Sequence, residues 1–95
     1  MVKIVWTQLA IDDLKSIHDY ISKESKVYAN RMIEKIIARV QQIENFPESG
    51  KTVPEFGQKS IRELVEGNYR IVYKISSDYI GIARIHHSAR LLKVV

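Results

Sequence analysis

Residues 60–90, SIRELVEGNYRIVYKISSDYIGIARIHHSAR, decide the fold, because they predict three β-strands in succession. Runs rich in β-branched and aromatic residues alternate here with turn-forming residues. The predicted strands are residues 60–65, 69–75 and 79–87, and the turns between them are residues 66–68 and 76–78. Gly67 followed by Asn68 predicts a tight hairpin, since both residue types tolerate a positive φ.

The middle strand alternates cleanly, so its two faces differ in character. One face is apolar enough to be buried and carries Tyr69, Ile71, Tyr73 and Ile75. The other face carries Arg70, Val72 and Lys74. The sequence therefore predicts a sheet with one buried face and one face that presents positive charge.

The length of the hairpin turn decides which residues of the first strand lie beside Arg70. A two-residue turn places Val65 opposite Arg70 and Leu64 opposite Ile71, which completes the apolar face. A three-residue turn would instead place Arg62 on the face of Arg70, because a slip of one residue exchanges the faces. We favour the two-residue turn.

Length and composition indicate one small globular domain, residues 1–95. Hydrophobic residues make up 45% of the chain and charged residues 27%, which is typical of a folded protein that is not disordered. The absence of cysteine excludes disulfides and thiolate metal sites. Because the sequence contains neither a long apolar run nor a signal-peptide pattern, we expect a cytoplasmic protein without a membrane span.

The net charge of +4 is concentrated in one half of the sequence. Residues 1–48 contain seven Lys/Arg and seven Asp/Glu, whereas residues 49–95 contain eight and four. The excess therefore lies in the half that forms the sheet. This favours an anionic partner for the sheet, namely nucleic acid, the ribosome or an acidic protein segment, although solubility alone would also explain so small a charge.

The first half of the chain predicts a strand and two helices. Val2–Trp6 is a short apolar strand, and helices are expected at residues 8–22 and 27–44, before a proline- and glycine-containing loop at residues 46–59. The predicted buried positions of the helices are Ala10, Leu14, Ile17, Ile21, Ala29, Ile33, Ile36, Ile37, Val40 and Ile43. The fold class is therefore α+β: an N-terminal strand and an antiparallel helical hairpin packed on one face of a mostly antiparallel sheet. The other face of the sheet is expected to stay open.

Motifs along nearly the whole chain resemble the RelE/ParE superfamily of bacterial toxins, also described as plasmid stabilisation proteins. They are W-T after the first strand, A-I-D-D-L-K-S-I-H-D-Y-I, F-P-E-S-G, I-R-E-L, G-N-Y-R-I-V-Y and I-H-H-S-A-R. The resemblance implies a growth-inhibiting toxin of a type II toxin–antitoxin module, neutralised by a cognate antitoxin whose disordered segment folds over the helical hairpin and the basic face.

The resemblance leaves the target open, because the superfamily has two branches. ParE-like members poison DNA gyrase by binding. RelE-like members are mRNA endonucleases that act on the ribosome without a metal, through attack of a ribose 2′-hydroxyl on the adjacent phosphate. We favour the hypothesis that the protein binds gyrase. The alternative is mRNA cleavage, and a third hypothesis is a decayed, inactive toxin. No cofactor is expected in any of the three.

Candidate catalytic residues follow only from the RNA-cleaving branch. By resemblance, Arg70 and Arg90 would stabilise phosphate charge, and His87 would act as general acid or base, since histidine titrates near neutral pH. His86 and His87 are neighbours on a strand, so only one of them can share the face of Arg70. Arg70 would otherwise be a sheet-surface arginine paired with Glu63 or Glu66.

Other residues are candidates for supporting roles. Arg62, Lys74 and His86 would bind substrate, and Glu55 or Glu63 would serve as a base in a histidine–glutamate variant. The three histidines share no spacing, so no metal site is expected. Ile61 and Glu63 occupy positions where the RNA-cleaving branch tends to carry lysines, which favours the hypothesis of gyrase binding.

Overall fold

A computed structural model describes residues 2–87 and shows two helices packed on a five-stranded sheet. The elements are β1 (Lys3–Trp6), α1 (Gln8–Ser22), α2 (Lys26–Asn45), a 3-10 helix (Pro47–Ser49), β2 (Lys51–Thr52), β3 (Ile61–Glu66), β4 (Tyr69–Ile75) and β5 (Tyr79–His87). The strand order is β1-β5-β4-β3-β2, with β1 parallel to β5 and every other neighbour antiparallel. The predicted α+β architecture is confirmed.

The hairpin between β3 and β4 has the two-residue turn that the sequence favours. Leu64 lies opposite Ile71 and Val65 lies opposite Arg70. Gly67 has a φ of 59°, and no non-glycine residue of the described chain has a positive φ. The turn therefore needs a positive φ only at its first central residue, which is the requirement of a type II′ turn.

Side-chain caps fix where the two helices begin. The Thr7 hydroxyl accepts a hydrogen bond from the Ala10 amide at 3.1 Å and lies 2.8 Å from the carbonyl oxygen of Ile82, to which it donates. The start of α1 is thereby tied to β5. Ser25 caps α2 in the same way by accepting from the amide of Tyr28 at 3.1 Å.

The core lies between the helices and the apolar face of the sheet. Its buried members are Ala10, Ile17, Met32, Ile36, Val40, Ile43, Leu64, Tyr69, Ile71, Tyr73, Ile80, Ile82 and Ile85. One helical assignment was wrong: Ile37 is 39% exposed, whereas Met32 is 6% exposed and takes the inward position. Within residues 2–87 neither helix is long and apolar enough to cross a membrane.

A β-bulge in β5 determines which side chains lie on each face of its second half. Val72 pairs with Arg84, but the next residue, Tyr73, pairs with Ile82, so Ala83 is the extra residue. Before the bulge, Ile82 faces the core. Without the bulge, strict alternation would also turn His86 towards the core. Sequence analysis did not predict this bulge, although the spacing of Ile82 and Ile85 departs from strict alternation.

The face of the sheet opposite the helices is only partly open, which corrects the expectation that all of it is exposed. Val53 and Val72 are 0% and 3% exposed, yet neither belongs to the cluster formed with the helices. The chain between β2 and β3 crosses this face and places Glu55 on Arg70. We call residues 53–60 the covering loop. The exposed residues of this face are Lys3 and Val5 on β1, Tyr79 on β5, Lys74 on β4 and Val65 on β3.

Candidate functional site

The covering loop and the sheet meet at Arg70, whose guanidinium group is held by two carboxylates. Its Nε atom donates to Glu63 Oε2 at 2.7 Å, and its Nη2 atom contacts the same oxygen. Its Nη1 and Nη2 atoms donate to the two oxygens of Glu55, at 3.0 and 3.1 Å. All three nitrogen atoms of the guanidinium are therefore engaged by carboxylates. Sequence analysis anticipated the Glu63 partner but not the Glu55 partner.

Burial makes this arrangement electrostatically significant. The side chains of Arg70 and Glu63 are 11% and 5% exposed, and that of Glu55 is 23% exposed. Lys51 approaches Glu63 at 3.9 Å from an exposed position. The hydrogen bonds that Arg70 donates to Glu55 and, to a smaller extent, to Glu63 raise the pKa of Arg70 against the opposing effect of its burial. The two carboxylates offset the charge of Arg70, so the cluster presents little net positive charge to a ligand.

The two histidines at the end of β5 lie on opposite faces. His86 pairs with Arg70 across the strands and shares its face, whereas His87 pairs with Tyr69 on the side of the helices. The rings of His87 and Tyr69 meet edge to face, with centroids 5.6 Å apart. The structure thus places His86 beside Arg70, although the family pattern had favoured His87.

The remaining predicted site residues are dispersed. Arg62 lies opposite Tyr73 on the helix-bearing face and donates to the carbonyl oxygen of Gly50 at 3.0 Å, so it does not join Arg70. Lys74 shares the face of Arg70 and is exposed. Arg90 lies outside the described residues. The structure therefore brings together Arg70 with His86, Glu63 and Glu55.

One ion pair was missed by sequence analysis because its partners are 71 positions apart. Asp13 Oδ2 accepts from Arg84 Nε at 2.8 Å and from the backbone amide of Ile85 at 3.0 Å, while Arg84 Nη2 donates to Asp13 Oδ1 at 3.1 Å. The Asp13 carboxylate raises the pKa of Arg84. Because β1 pairs only with residues 79–82, Asp13 satisfies an edge amide that β1 does not reach. Only the acidic pair D-D near the start of α1 hinted at this role.

A groove of about 1090 Å³ opens beside this ion pair, between the helical hairpin, the start of β4 and the end of β5. Its walls include two exposed tyrosines of the hairpin, Tyr20 and Tyr28, which are 71% and 53% exposed. Met32 and Tyr69 also line it. The groove is amphipathic, since Arg84 and both histidines border the same space.

The chemistry available at Arg70 is limited by its neighbours. A guanidinium stabilises phosphate charge when its paired donors face the ligand, but here they face carboxylates. Residues 2–87 contain no group of three or more His, Asp or Glu that could hold a metal ion. The cluster therefore anchors the covering loop to the sheet, with His86 beside it on the same face.

Comparison with known proteins gives the class and the family of this domain. Residues 4–92 match the family model described as the ParE toxin of the type II toxin–antitoxin system parDE. Toxin RelE2 of Caulobacter vibrioides is 35% identical over 92 residues, which cover 96% of this chain and all of that protein. The class is thus a toxin of a type II toxin–antitoxin system. The chain belongs to the ParE toxin family within the RelE/ParE superfamily.

Solved structures support the same fold at lower sequence identity. The chromosomal ParDE system from P. aeruginosa superposes with a TM-score of 0.75 and 22% identity, covering 92% of this chain and 96% of that one. The YoeB dimer from Staphylococcus aureus superposes with a TM-score of 0.65 and 17% identity, covering 90% and 95%. At these identities the likeness carries the fold alone.

Proposed function

We propose that this toxin inhibits growth in the cytoplasm by binding DNA gyrase and holding it in its DNA-cleaved state, without breaking a bond itself. The observation that supports this is the double engagement of Arg70 by Glu63 and Glu55. An RNA-cleaving centre needs that guanidinium for the scissile phosphate. A phosphate would have to displace a carboxylate and approach a second one, and both repel it.

A second candidate is cleavage of mRNA on the ribosome. It is supported by the common face of Arg70, Glu63 and His86, which supplies a cation, a carboxylate and an imidazole for general acid–base chemistry. This candidate requires Glu55 to leave Arg70 when RNA binds. The match to the ParE toxin model supports gyrase, whereas the relative named Toxin RelE2 carries the name of the RNA-cleaving branch.

The two candidates are separated by inducing the toxin and following DNA and mRNA in the same cells. Gyrase-linked DNA breaks with intact mRNA are expected, together with inhibition of supercoiling by the purified toxin. The variant His86→Gln should keep these effects, and the matched variant His18→Gln on the helices should behave alike. Codon-phased cuts in mRNA that disappear in His86→Gln would overturn the gyrase proposal.

We also propose that a cognate antitoxin neutralises the toxin by filling the groove beside Tyr20 and Tyr28. Aromatic residues that are exposed in a groove contribute strongly to binding once a partner buries them. The apolar wall, bordered by both acidic and basic side chains, suits an amphipathic segment. The titles of related structures describe such assemblies for their own proteins, namely a ParDE system and a YoeB–YefM complex.

Co-purification with the protein encoded beside this toxin tests the antitoxin proposal. Replacement of Tyr20 and Tyr28 by serine should weaken the complex about 30-fold or more, as expected for buried aromatic anchors. Phe46→Ser is the matched control, because Phe46 is 67% exposed and does not line the groove. Equal losses in the two variants would show that the groove is not the docking surface.

A further inference from the structure

The exposed part of the sheet face contains an aromatic residue between two lysines, on the side that the covering loop does not reach. Lys3 on β1 lies directly opposite Tyr79 on β5, and Val5 lies opposite Gly81. On the other side of β5, Lys74 of β4 also lies opposite Gly81. Lys3, Tyr79 and Lys74 therefore share one face of the sheet. The residues next to them in each strand point to the opposite face, towards the core.

Gly81 leaves room for the Tyr79 ring to lie along the sheet. A Cβ atom at Gly81 would lie 3.6 Å from Tyr79 Cε2, which is van der Waals distance. The ring nevertheless remains 44% exposed, and neighbouring Val5 is 37% exposed. The result is a flat aromatic surface with an open side.

The two lysines have no carboxylate partner, in contrast to three arginines of the described chain. Arg39, Arg70 and Arg84 each form an ion pair with a glutamate or aspartate. Among residues 2–87, neither Lys3 nor Lys74 has a carboxylate within 4.0 Å. Their backbones are about 12 Å apart, because β5 separates β1 from β4 and the two lysines are offset by two residues along it. This pair supplies the uncompensated charge of the exposed face.

We propose that Lys3, Tyr79 and Lys74 form a binding site for single-stranded nucleic acid, with a base stacked on Tyr79 and the lysines on the flanking phosphates. A flat exposed ring bordered by cations is the arrangement that proteins use to bind unpaired strands without reading their sequence. An acidic peptide would use the lysines but would have no planar group for the ring. The site is separate from Arg70, and it does not depend on gyrase being the target.

Binding of a fluorescent single-stranded oligonucleotide of about 12 nucleotides to the full-length toxin tests this site by anisotropy over a range of salt. The double variant Lys3→Gln/Lys74→Gln should weaken binding about tenfold or more at low salt. The slope of log K against log salt should become shallower by about 1.4, because two phosphate contacts are lost. The matched control Lys15→Gln/Lys35→Gln removes the same charge from exposed positions of the helices and should retain the wild-type slope.

The tyrosine is tested separately, since charge alone would also bind an oligonucleotide. Tyr79→Ser should weaken binding about fivefold or more, whereas Tyr79→Phe should bind as the wild type does. All variants should retain the wild-type unfolding midpoint. Equal slopes in the two lysine double variants, or no effect of Tyr79→Ser, would overturn the proposal. Competition by duplex DNA or by polyglutamate as strong as that by the single strand would overturn it as well.

Discussion

The backbone amide of Gly50 donates a hydrogen bond of 2.9 Å to the hydroxyl of Tyr73, which in turn donates to the carbonyl oxygen of Pro47 at 2.7 Å. One buried hydroxyl thus satisfies two backbone groups of the segment that follows α2. Tyr73 is 0% exposed and belongs to the core face of β4. This contact gives a physical reason for the F-P-E-S-G sequence after the second helix, because it fixes the path of the chain from α2 to β2.

Replacement of Tyr73 by phenylalanine should lower the free energy of unfolding by about 1–3 kcal/mol, since it leaves the Gly50 amide and the Pro47 carbonyl without a partner. Burial raises the pKa of Tyr73 above its usual value of 10.0. A raised pKa means that the stability from this hydroxyl is complete below about pH 10 and is lost as pH rises through the folded-state pKa.

Urea unfolding of both proteins at about pH 8 and pH 10.5 measures this effect. The difference between wild type and Tyr73→Phe should be smaller at the higher pH, where the unfolded tyrosine ionises. A difference that grows with pH would contradict the assignment.

Gly50 should not tolerate a side chain. A Cβ atom at this position would lie 2.5 Å from the Tyr73 hydroxyl oxygen and 2.7 Å from the carbonyl oxygen of Glu63. Gly50→Ala should therefore lower stability by about 1–3 kcal/mol through overpacking. Gly81→Ala is the matched control, because its nearest contact would be an ordinary 3.6 Å, and its midpoint in thermal or urea unfolding should stay near that of the wild type. Equal losses in the two variants would exclude close packing as the cause.

Local patterns predicted the elements of this fold, and its irregular features escaped them. Alternation in β4 and the Gly67 turn were sufficient to predict the register of the hairpin, because each is a signal between near neighbours. The bulge at Ala83 was not predicted, although Ile82 and Ile85 depart from alternation, and it is the feature that turns His86 to the face of Arg70. The ion pair of Asp13 with Arg84 depends on where α1 crosses β5, which periodicity does not specify.

The candidate site was predicted in part for the same reason. Arg70 and Glu63 share a face once the two-residue turn is chosen, so their pairing follows from register. The contact with Glu55 depends on the path of the covering loop, which turns at Gly57 with a φ of 62°. Loops of this kind follow tertiary contacts more than local propensity. Sequence analysis therefore predicted an exposed arginine where the structure has a covered one.

The stability of the β5 edge near Ile85 should depend on Asp13. The variant Asp13→Ala removes the acceptor of the Ile85 amide and the partner of Arg84, so a loss of about 1–3 kcal/mol in unfolding free energy is expected. Asp19→Ala removes the same charge from an exposed position of α1 and should change stability by less than about 0.5 kcal/mol. Hydrogen exchange at the Ile85 amide should accelerate in the first variant only. Protection of that amide in Asp13→Ala would contradict its role.

Substitutions in the ion cluster at Arg70 should lower stability by unequal amounts, because its two carboxylates differ in burial. Arg70→Leu leaves Glu63 with its side chain only 5% exposed and with Lys51 alone at 3.9 Å, so stability should fall by about 3–5 kcal/mol. Glu55→Gln should change it by less than about 1 kcal/mol, since the side chain of Glu55 is 23% exposed and its amide oxygen still accepts from Arg70.

Urea unfolding of these variants, of Glu63→Leu and of Arg70→Leu/Glu63→Leu measures the coupling within the cluster. The double variant should recover much of the loss of Arg70→Leu, because replacing both members of a buried ion pair by apolar groups removes the uncompensated charge. Additive losses would mean that Glu63 is solvated when Arg70 is absent. That result would also return the guanidinium to the role of an accessible cation, and it would strengthen mRNA cleavage against gyrase binding.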